Sequence, residues 1–447
     1  MDVSHSNWLA ATDAARAIRD GSISSEELVE ACLARIREAD DAVQAWSFLD
    51  PEHALKQARA LDLQRSEGRA LGALHGVPVG IKDIIDTADM PTEDGTVLHA
   101  GRTPARDASV VTMLRAAGAV IMGKTVTTEL ATYSPGKTRN PHNSGHTPGG
   151  SSSGSAAAVA AGMVPLALGS QTNGSVIRPA AYCGVFGFKP THGLIPRHGV
   201  LKLSRALDHI GVFARTIEDI ALASEQLVGY DEQDADTRVR ARIPFVAVTA
   251  EEPPLPPTIG FVKTPMWDRA TEETHEAFTE VTEHLGERVE DVVLPESALQ
   301  ALEWHRTVME AEMAANLTAE YDKGRERLSE RLRDQLARGR GHSALDYQMA
   351  LARISQVAEG LGELFYRYDA LLTPSAAGTA PKGLESTGDP VFCTIWTFCG
   401  LPALNLPLMR GAGGLPLGMQ LVGPRYGDAR LLRTARWLVN SVGSQEP

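Results

Sequence analysis

Two glycine- and serine-rich turns carry the residue types that acyl transfer needs. The first is Gly149-Gly150-Ser151-Ser152-Ser153-Gly154-Ser155, and the second runs Gln171-Thr172-Asn173-Gly174-Ser175-Val176-Ile177-Arg178. Glycines let backbone N–H groups crowd together at angles that other residues resist. Serines among them can act as nucleophile and proton relay beside donors for an oxyanion. Ser175 lies between a glycine-containing turn and an expected helix start, which presents its hydroxyl. The N–H groups of Thr172, Asn173, Gly174 and Ser175 are then expected to point into the site as an oxyanion hole. Lys82 ends the apolar run Gly76-Val77-Pro78-Val79-Gly80-Ile81. Burial there lowers the amine's pKa and frees its neutral form as a base. Ser151 can pass a proton between Lys82 and Ser175. No histidine lies beside either turn in the sequence.

The elements around these residues alternate. Two helices are expected over 8–40, the first stopped by Gly21, the second opened by the capping box Ser24-Ser25-Glu26-Glu27. A strand near 43–48 precedes a helix with Pro51 in its first turn. Strands are expected at 75–83, 119–123, 164–168 and 185–189, with helices at 108–117, from 156, from Val176, and from Thr216 to about 228. Residues 240–257 are rich in Pro and Glu and read as a linker loop. Strands at 259–262 and 289–294 flank a helix at 271–286. Residues 296–368 turn charge-rich and helical, with Ser343 capping a long helix whose stripe is Leu351, Ile354, Val357, Leu361, Leu364 and Tyr368. That stretch reads as a helical lid or insert within a single catalytic domain, 1–447. Strands return at 370–372, 403–406 and 419–422, and a helix at 429–439 closes the chain. This alternation predicts an α/β fold, a large mixed central sheet with helices on both faces.

Composition narrows the partners. Lys and Arg number 43 against 56 Asp and Glu, a net charge of −13. An acidic balance argues against nucleic acid and anionic membranes. Cys32, Cys183, Cys393 and Cys399 form no CxxC and sit among apolar neighbours, as expected of buried free thiols in a reducing cytoplasm. The first residues lack the basic and apolar regions of a signal peptide. No apolar run reaches the roughly 18 residues of a membrane span. The spacings of His142, His146, His192 and His198 fit no usual zinc pattern. Ser134-Pro135-Gly136-Lys137 matches an S-x-x-K string, but Pro and Gly spoil the helix that string requires. Trp396, Phe398 and Cys399 suit either a pocket entrance or the core.

The run Gly76 to Asp83, the Gly-Gly-Ser-Ser-Ser-Gly-Ser loop and Gln-Thr-Asn-Gly-Ser-Val-Ile-Arg-Pro-Ala, in that order, resemble the amidase signature family. The likeness covers most of 8–235 and 370–440. Ile84 to Thr92, Asn140-Pro141-His142-Asn143 and Pro179 to Gly184 are similar to its malonamidase-like branch. The resemblance implies a Ser–cisSer–Lys triad. Ser175 is then the nucleophile, Ser151 the relay after a cis peptide and Lys82 the terminal base, with Ser152 and Ser153 supporting the loop. It also implies a substrate-binding role for Ser152, and for Arg178 either a grip on a substrate carboxylate, as in the malonamidase branch, or the structural pairing the family often gives an Arg there. The family usually has Gly where Asn173 stands, and Asn is the residue that best tolerates a left-handed backbone in its place.

The implied activity is hydrolysis of C–N bonds in small amides through an acyl-enzyme. Two alternatives share the fold: a carbamate (urethane) hydrolase, and the A subunit of a tRNA-dependent amidotransferase. The malonamidase likeness and the short C-terminus weigh against the second of these. No metal or organic cofactor is implied. The expected partners are a small-molecule amide or carbamate and a second copy in a homodimer, in the cytoplasm.

Overall fold

The computed structural model describes residues 3–443. Eleven strands form one sheet: β1 (Trp46–Leu49), β2 (Pro78–Lys82), β3 (Val120–Thr125), β4 (Leu166–Gln171), β5 (Phe186–Lys189), β6 (His209–Ala214), β7 (Ile259–Val262), β8 (Val289–Val292), β9 (Ala370–Pro374), β10 (Ala403–Arg410) and β11 (Pro416–Val422). Their order is β1-β3-β2-β4-β6-β5-β10-β11-β9-β7-β8. β3, β2 and β4 run parallel at one end, and β9, β7 and β8 at the other. Antiparallel pairs join them through the middle. The sheet is mixed, with helices on both faces, as the alternating sequence predicts. β2 to β6 are buried along their whole length. Such strands read as continuous apolar runs rather than alternating ones.

The helix starts follow local chemistry. Ser24 accepts from Glu27 N at 3.0 Å while the Glu27 carboxylate accepts from Ser24 N at 2.7 Å. Asp50 caps the helix Pro51–Ser66, and Thr216 caps Ile217–Leu227. Ser343 opens Ala344–Gly362 with a second capping box, closed by Asp346. The helix stops at Gly362, so Leu364 lies in a following 3₁₀ turn and Tyr368 beyond it, outside the stripe expected to hold them.

Three further expectations change. Residues 240–257 are not a plain linker: Phe245–Ala250 is a helix, docked against Ile217–Leu227 and Asp428–Gly443. Phe245 is fully buried there. Prolines suggest a loop, but Phe245, with Ile243 and Val248 beside it, packs the segment onto the core. β6 has no counterpart among the expected strands. The helix Val391–Phe398 has no counterpart either. It places Trp396, Phe398 and Cys399 in the core, each with no exposure. The four cysteines are free and buried.

Residues 296–368 hold the helices Glu296–Leu299, Ala301–Asn316, Thr318–Gly324, Glu330–Gly341 and Ala344–Gly362. Ala301–Asn316 packs on Glu330–Gly341, on Ala344–Gly362 and on Val391–Phe398. Gly339 permits the first of these contacts, because a Cβ there would lie 2.0 Å from the Glu310 carbonyl oxygen.

Phe245→Ala is expected to destabilise the protein by about 3–5 kcal/mol, the range for emptying a buried phenylalanine site. Urea titration measures it. An unchanged midpoint would restore the linker reading of 240–257.

Candidate functional site

β2 and β4 are parallel neighbours, with Ile81 opposite Leu168, so both deliver their carboxyl ends to the same edge of the sheet. Ligands of open α/β sheets bind there. β2 ends on Lys82, and β4 runs through Ser170 and Gln171 into the turn that carries Ser175 and then the helix Ile177–Cys183.

Lys82 is fully buried. Its Nζ lies 2.7 Å from Ser151 Oγ and 2.8 Å from Ser170 Oγ. Burial pushes its pKa well below the usual lysine value, and the carboxylate of Asp208 opposes that shift. No salt bridge forms at Lys82 among the described residues, so little offsets the lost hydration that disfavours its charged form.

The serine loop is held on every side. Gly149 takes a positive φ of 81°, and the Gly150–Ser151 peptide is cis. Arg178 Nη2 donates to the Gly150 carbonyl at 2.7 Å and to Thr387 Oγ1 at 3.1 Å. Ser152 exchanges hydrogen bonds with the Ser170 backbone at 3.2 Å, N–H and carbonyl alike. Ser153 donates to the Val126 carbonyl at 3.3 Å, and Ser155 to that of Leu168 at 2.8 Å. Gly154 has a different reason: a Cβ would lie 2.2 Å from the Ala45 carbonyl oxygen and 2.4 Å from Val126 N.

These contacts bear on the roles expected of Ser152 and Arg178. The Ser152 hydroxyl is fully buried and spent on the backbone, so it fastens the loop to β4 and does not meet substrate. The Arg178 guanidinium is buried and holds the peptide before Ser151, while its Nε and Nη1 have no partner.

Ser175 is half-buried. Ser152 N donates to its carbonyl at 3.4 Å, which ties the two turns together. Its hydroxyl forms no hydrogen bond among the described residues, so the Lys82–Ser151 link is made here and the Ser151–Ser175 link is not. Catalytic hydrogen bonds often tighten only once substrate is bound.

The turn itself is shaped by residues that do not stand out in the sequence. Gln171 Oε1 accepts from Val176 N at 2.8 Å and Ile177 N at 3.0 Å, and its Nε2 donates to Thr397 Oγ1 at 2.9 Å. Thr172 Oγ1 donates to Asp208 at 2.6 Å. His305 Nε2 donates to the Thr172 carbonyl at 2.9 Å, and Thr397 Oγ1 to that of Asn173 at 2.6 Å. Burial raises the Asp208 pKa to about 6. Only the apolar and polar character of these residues is local; their roles depend on partners far along the chain.

Asn173 does not take the left-handed backbone expected of a glycine replacement, for it is absent from the residues with positive φ. Its carboxamide holds it instead, donating to Tyr133 Oη at 3.0 Å and accepting from Thr394 Oγ1 at 2.8 Å. Gly174 is set by contact: a Cβ would sit 2.8 Å from Pro390 Cβ. Of the histidines weighed as ligands, His142 donates to the Cys183 carbonyl and His192 lies between Arg197 and the Arg205 carbonyl. Ser134 bonds Ser329 at 2.6 Å, so it joins its loop to the helical stretch.

Two cavities flank the turn. One of about 440 Å³ opens over Asn173 and is walled by Tyr133, His305, Arg306, Gln335 and Thr394 among others. The second, about 400 Å³, lies behind the turn against Ser170, Thr172, Asp208 and His209.

The chain matches the Amidase family over residues 27–432. A curated relative, the A subunit of glutamyl-tRNA(Gln) amidotransferase from Symbiobacterium thermophilum, is 36% identical over 94% of each chain. That coverage removes chain length as an argument against the amidotransferase reading. A structure reported as a vestigial protein complex bearing on the origins of an s-triazine catabolic enzyme superposes with a TM-score of 0.91 at 28% identity, covering 97% of this chain and 98% of that one. Peptide amidase from Stenotrophomonas maltophilia gives 0.85 at 28% identity and covers 98% of each. With its sheet, its serine loop and its buried lysine in these places, the chain belongs to the amidase family.

Proposed function

We propose that this chain hydrolyses the C–N bond of a small carboxamide through an acyl-enzyme on Ser175. The observation that carries the reading is the fully buried Lys82 amine 2.7 Å from the Ser151 hydroxyl, beside the turn that holds Ser175. Ser175 Oγ attacks the carbonyl carbon and gives its proton to Ser151, whose own proton passes to Lys82. The carbonyl oxygen becomes an oxyanion facing the N–H groups of Asn173, Gly174 and Ser175, which bond no protein acceptor among the described residues. Lys82 returns a proton through Ser151 to the leaving nitrogen, and the C–N bond breaks. Water then attacks the Ser175 ester by the same relay in reverse, releasing the acid. A carbamate offers the same carbonyl and leaving amine, so it is a substrate class for the same steps. The helices of 296–368 serve as a lid that walls the cavity over Asn173.

A second reading is favoured by the names of the curated relatives: an amidotransferase component that works inside a complex. The acyl-enzyme steps are unchanged, and the difference lies in where the nitrogen goes. Steady turnover of an amide by the purified chain alone would retire this reading. Labelled Ser175 without turnover, rescued by added partner proteins, would favour it.

Ser175→Ala and Lys82→Ala are each expected to abolish hydrolysis with folding intact, and Ser151→Ala to lose about 10²–10⁴-fold, the worth of a positioned acid–base group. A fluorophosphonate probe is expected to mark Ser175, read by peptide mass. Full activity in Ser175→Ala would discard the mechanism.

The pH profile tests the base. A depressed Lys82 pKa means that kcat/KM rises with pH through that pKa and reaches its plateau below the ordinary lysine value of 10.5. The Asp208 carboxylate favours the charged amine, so Asp208→Asn should move the rising limb to lower pH. A limb that moves upward contradicts this assignment.

A further inference from the structure

The geometry points to His305 and Thr397 as positioning residues that aim the backbone donors of the oxyanion hole, an inference that rests on the hydrolase reading above. A trans peptide is planar, and its C=O and N–H point in opposite directions. Whatever fixes the carbonyl of one residue therefore aims the N–H of the next. Three successive carbonyls in the turn are each held by a donor. His305 Nε2 holds Thr172 O at 2.9 Å, which turns the Asn173 N–H the other way. Thr397 Oγ1 holds Asn173 O at 2.6 Å, which sets the Gly174 N–H. Arg178 N holds Gly174 O at 3.0 Å within the following helix, which sets the Ser175 N–H.

The direction of each proton follows from its partners. The acceptor of His305 Nε2 is a carbonyl, so that nitrogen carries the hydrogen. His305 is 1% exposed, and burial pushes its pKa down to about 4, which leaves a neutral ring with that single N–H. Gln171 Oε1 accepts from two backbone N–H groups, so its other end is the amide nitrogen, and that nitrogen donates to Thr397 Oγ1. Thr397 has one hydroxyl proton, and its remaining partner is the Asn173 carbonyl. The proton points there. Thr397 is itself fully buried, so nothing from solvent competes for it.

Both clamps come from distant segments. His305 lies 133 residues from Thr172 and Thr397 224 residues from Asn173. His305 belongs to Ala301–Asn316, in the helical stretch that walls the cavity over Asn173. A carbonyl that loses its clamp can rotate its peptide and take the N–H out of the hole. Removing a whole donor from such a hole costs about 10²–10³ in kcat. Loosening one should cost less.

The test compares His305→Leu and Thr397→Val, which lack the donor, with His305→Gln and Thr397→Ser, which keep one. The first pair should slow both kcat and the rate of Ser175 phosphonylation by a fluorophosphonate about 10- to 100-fold, within the bound set by loss of a donor. KM and thermal midpoint should hardly move, and the second pair should recover most of the rate. Hydrogen exchange of the peptide spanning 171–178, followed by mass, should quicken in the Leu and Val variants and return in the Gln and Ser variants. Wild-type rates and exchange in the Leu and Val variants would overturn the proposal, as would equal damage in all four. A wild-type chain that the probe does not label at Ser175 counts against the hydrolase reading, and the exchange comparison still decides the positioning.

Discussion

An amine without a counter-ion, shut inside the protein, is the constraint to which the rest of the site answers. Two other lysines share its burial but not its surroundings. Lys124, on the adjacent strand β3, is also unexposed and also meets hydroxyls, Thr92 at 2.6 Å and Thr87 at 3.5 Å, but its Nζ donates as well to the Ile85 carbonyl at 2.6 Å and lies 3.9 Å from Asp83, and its pKa falls to about 8. Lys189 at the end of β5 donates to the carbonyls of Leu401 and Pro190, with its pKa lowered to about 7. Carbonyls accept only, so each of these amines spends an N–H on one, which Lys82 does not. Lys82 meets two hydroxyls, and a hydroxyl can give a proton as well as take one. Burial alone makes three depressed lysines here. The partner atoms make one of them a base.

A neutral amine at a strand end is useful only if the strand cannot shift. Ser152 fastens the serine loop to the Ser170 backbone, and Ser170 is the second hydroxyl on Lys82. One short circuit thus fixes base, relay and the root of the nucleophile turn. Arg178 then holds the peptide that presents Ser151. Its burial with two unpartnered nitrogens is costly, because an unsatisfied buried charge-bearing group keeps none of its hydration. The circuit is over-determined by backbone contacts. That suits a hole whose donors must already be aimed when charge develops, with no reorganisation left to do.

The sequence makes part of this legible and hides the rest for physical reasons. Lys82, Ser151 and Ser175 stand out because their neighbours are unusual: an apolar run ending in lysine, and serines spaced by glycine. The capping residues Ser24, Thr216 and Ser343 show because a cap bonds within three residues of itself. His305, Thr397 and Asp208 show no such sign. His305 and Asp208 each reach the turn through one hydrogen bond and Thr397 through two, all to a segment far away in sequence, and nothing adjacent to them in the chain differs from ordinary helix or loop. β6 has no counterpart among the expected strands although β2 to β5, equally buried, do, so covered faces alone do not hide a strand. Asn173 misleads in the opposite direction. A glycine's place suggests a special backbone angle, while the turn needs only room, and the carboxamide finds two hydroxyl partners in it.

Chemistry and selectivity then divide between parts of the fold. The donors of the hole are backbone atoms, and a backbone N–H recognises an oxyanion whatever acyl group carries it. On the proposed reading, discrimination among substrates falls to the walls of the cavity over Asn173: Arg306 and Met309 from Ala301–Asn316, Arg331 and Gln335 from Glu330–Gly341. Gln335 is buried there with its Oε1 unpartnered, a polar group whose hydrogen bond is still to be supplied. Polar groups of that kind separate substrates sharply, since a ligand lacking the matching donor leaves them unpaired. The same helix that lines this wall carries His305 into the back of the turn. A change in the wall that displaces Ala301–Asn316 therefore acts twice, once on what binds and once on how well the hole is aimed. The proposed positioning role of His305 would thus couple selectivity to rate through one buried imidazole.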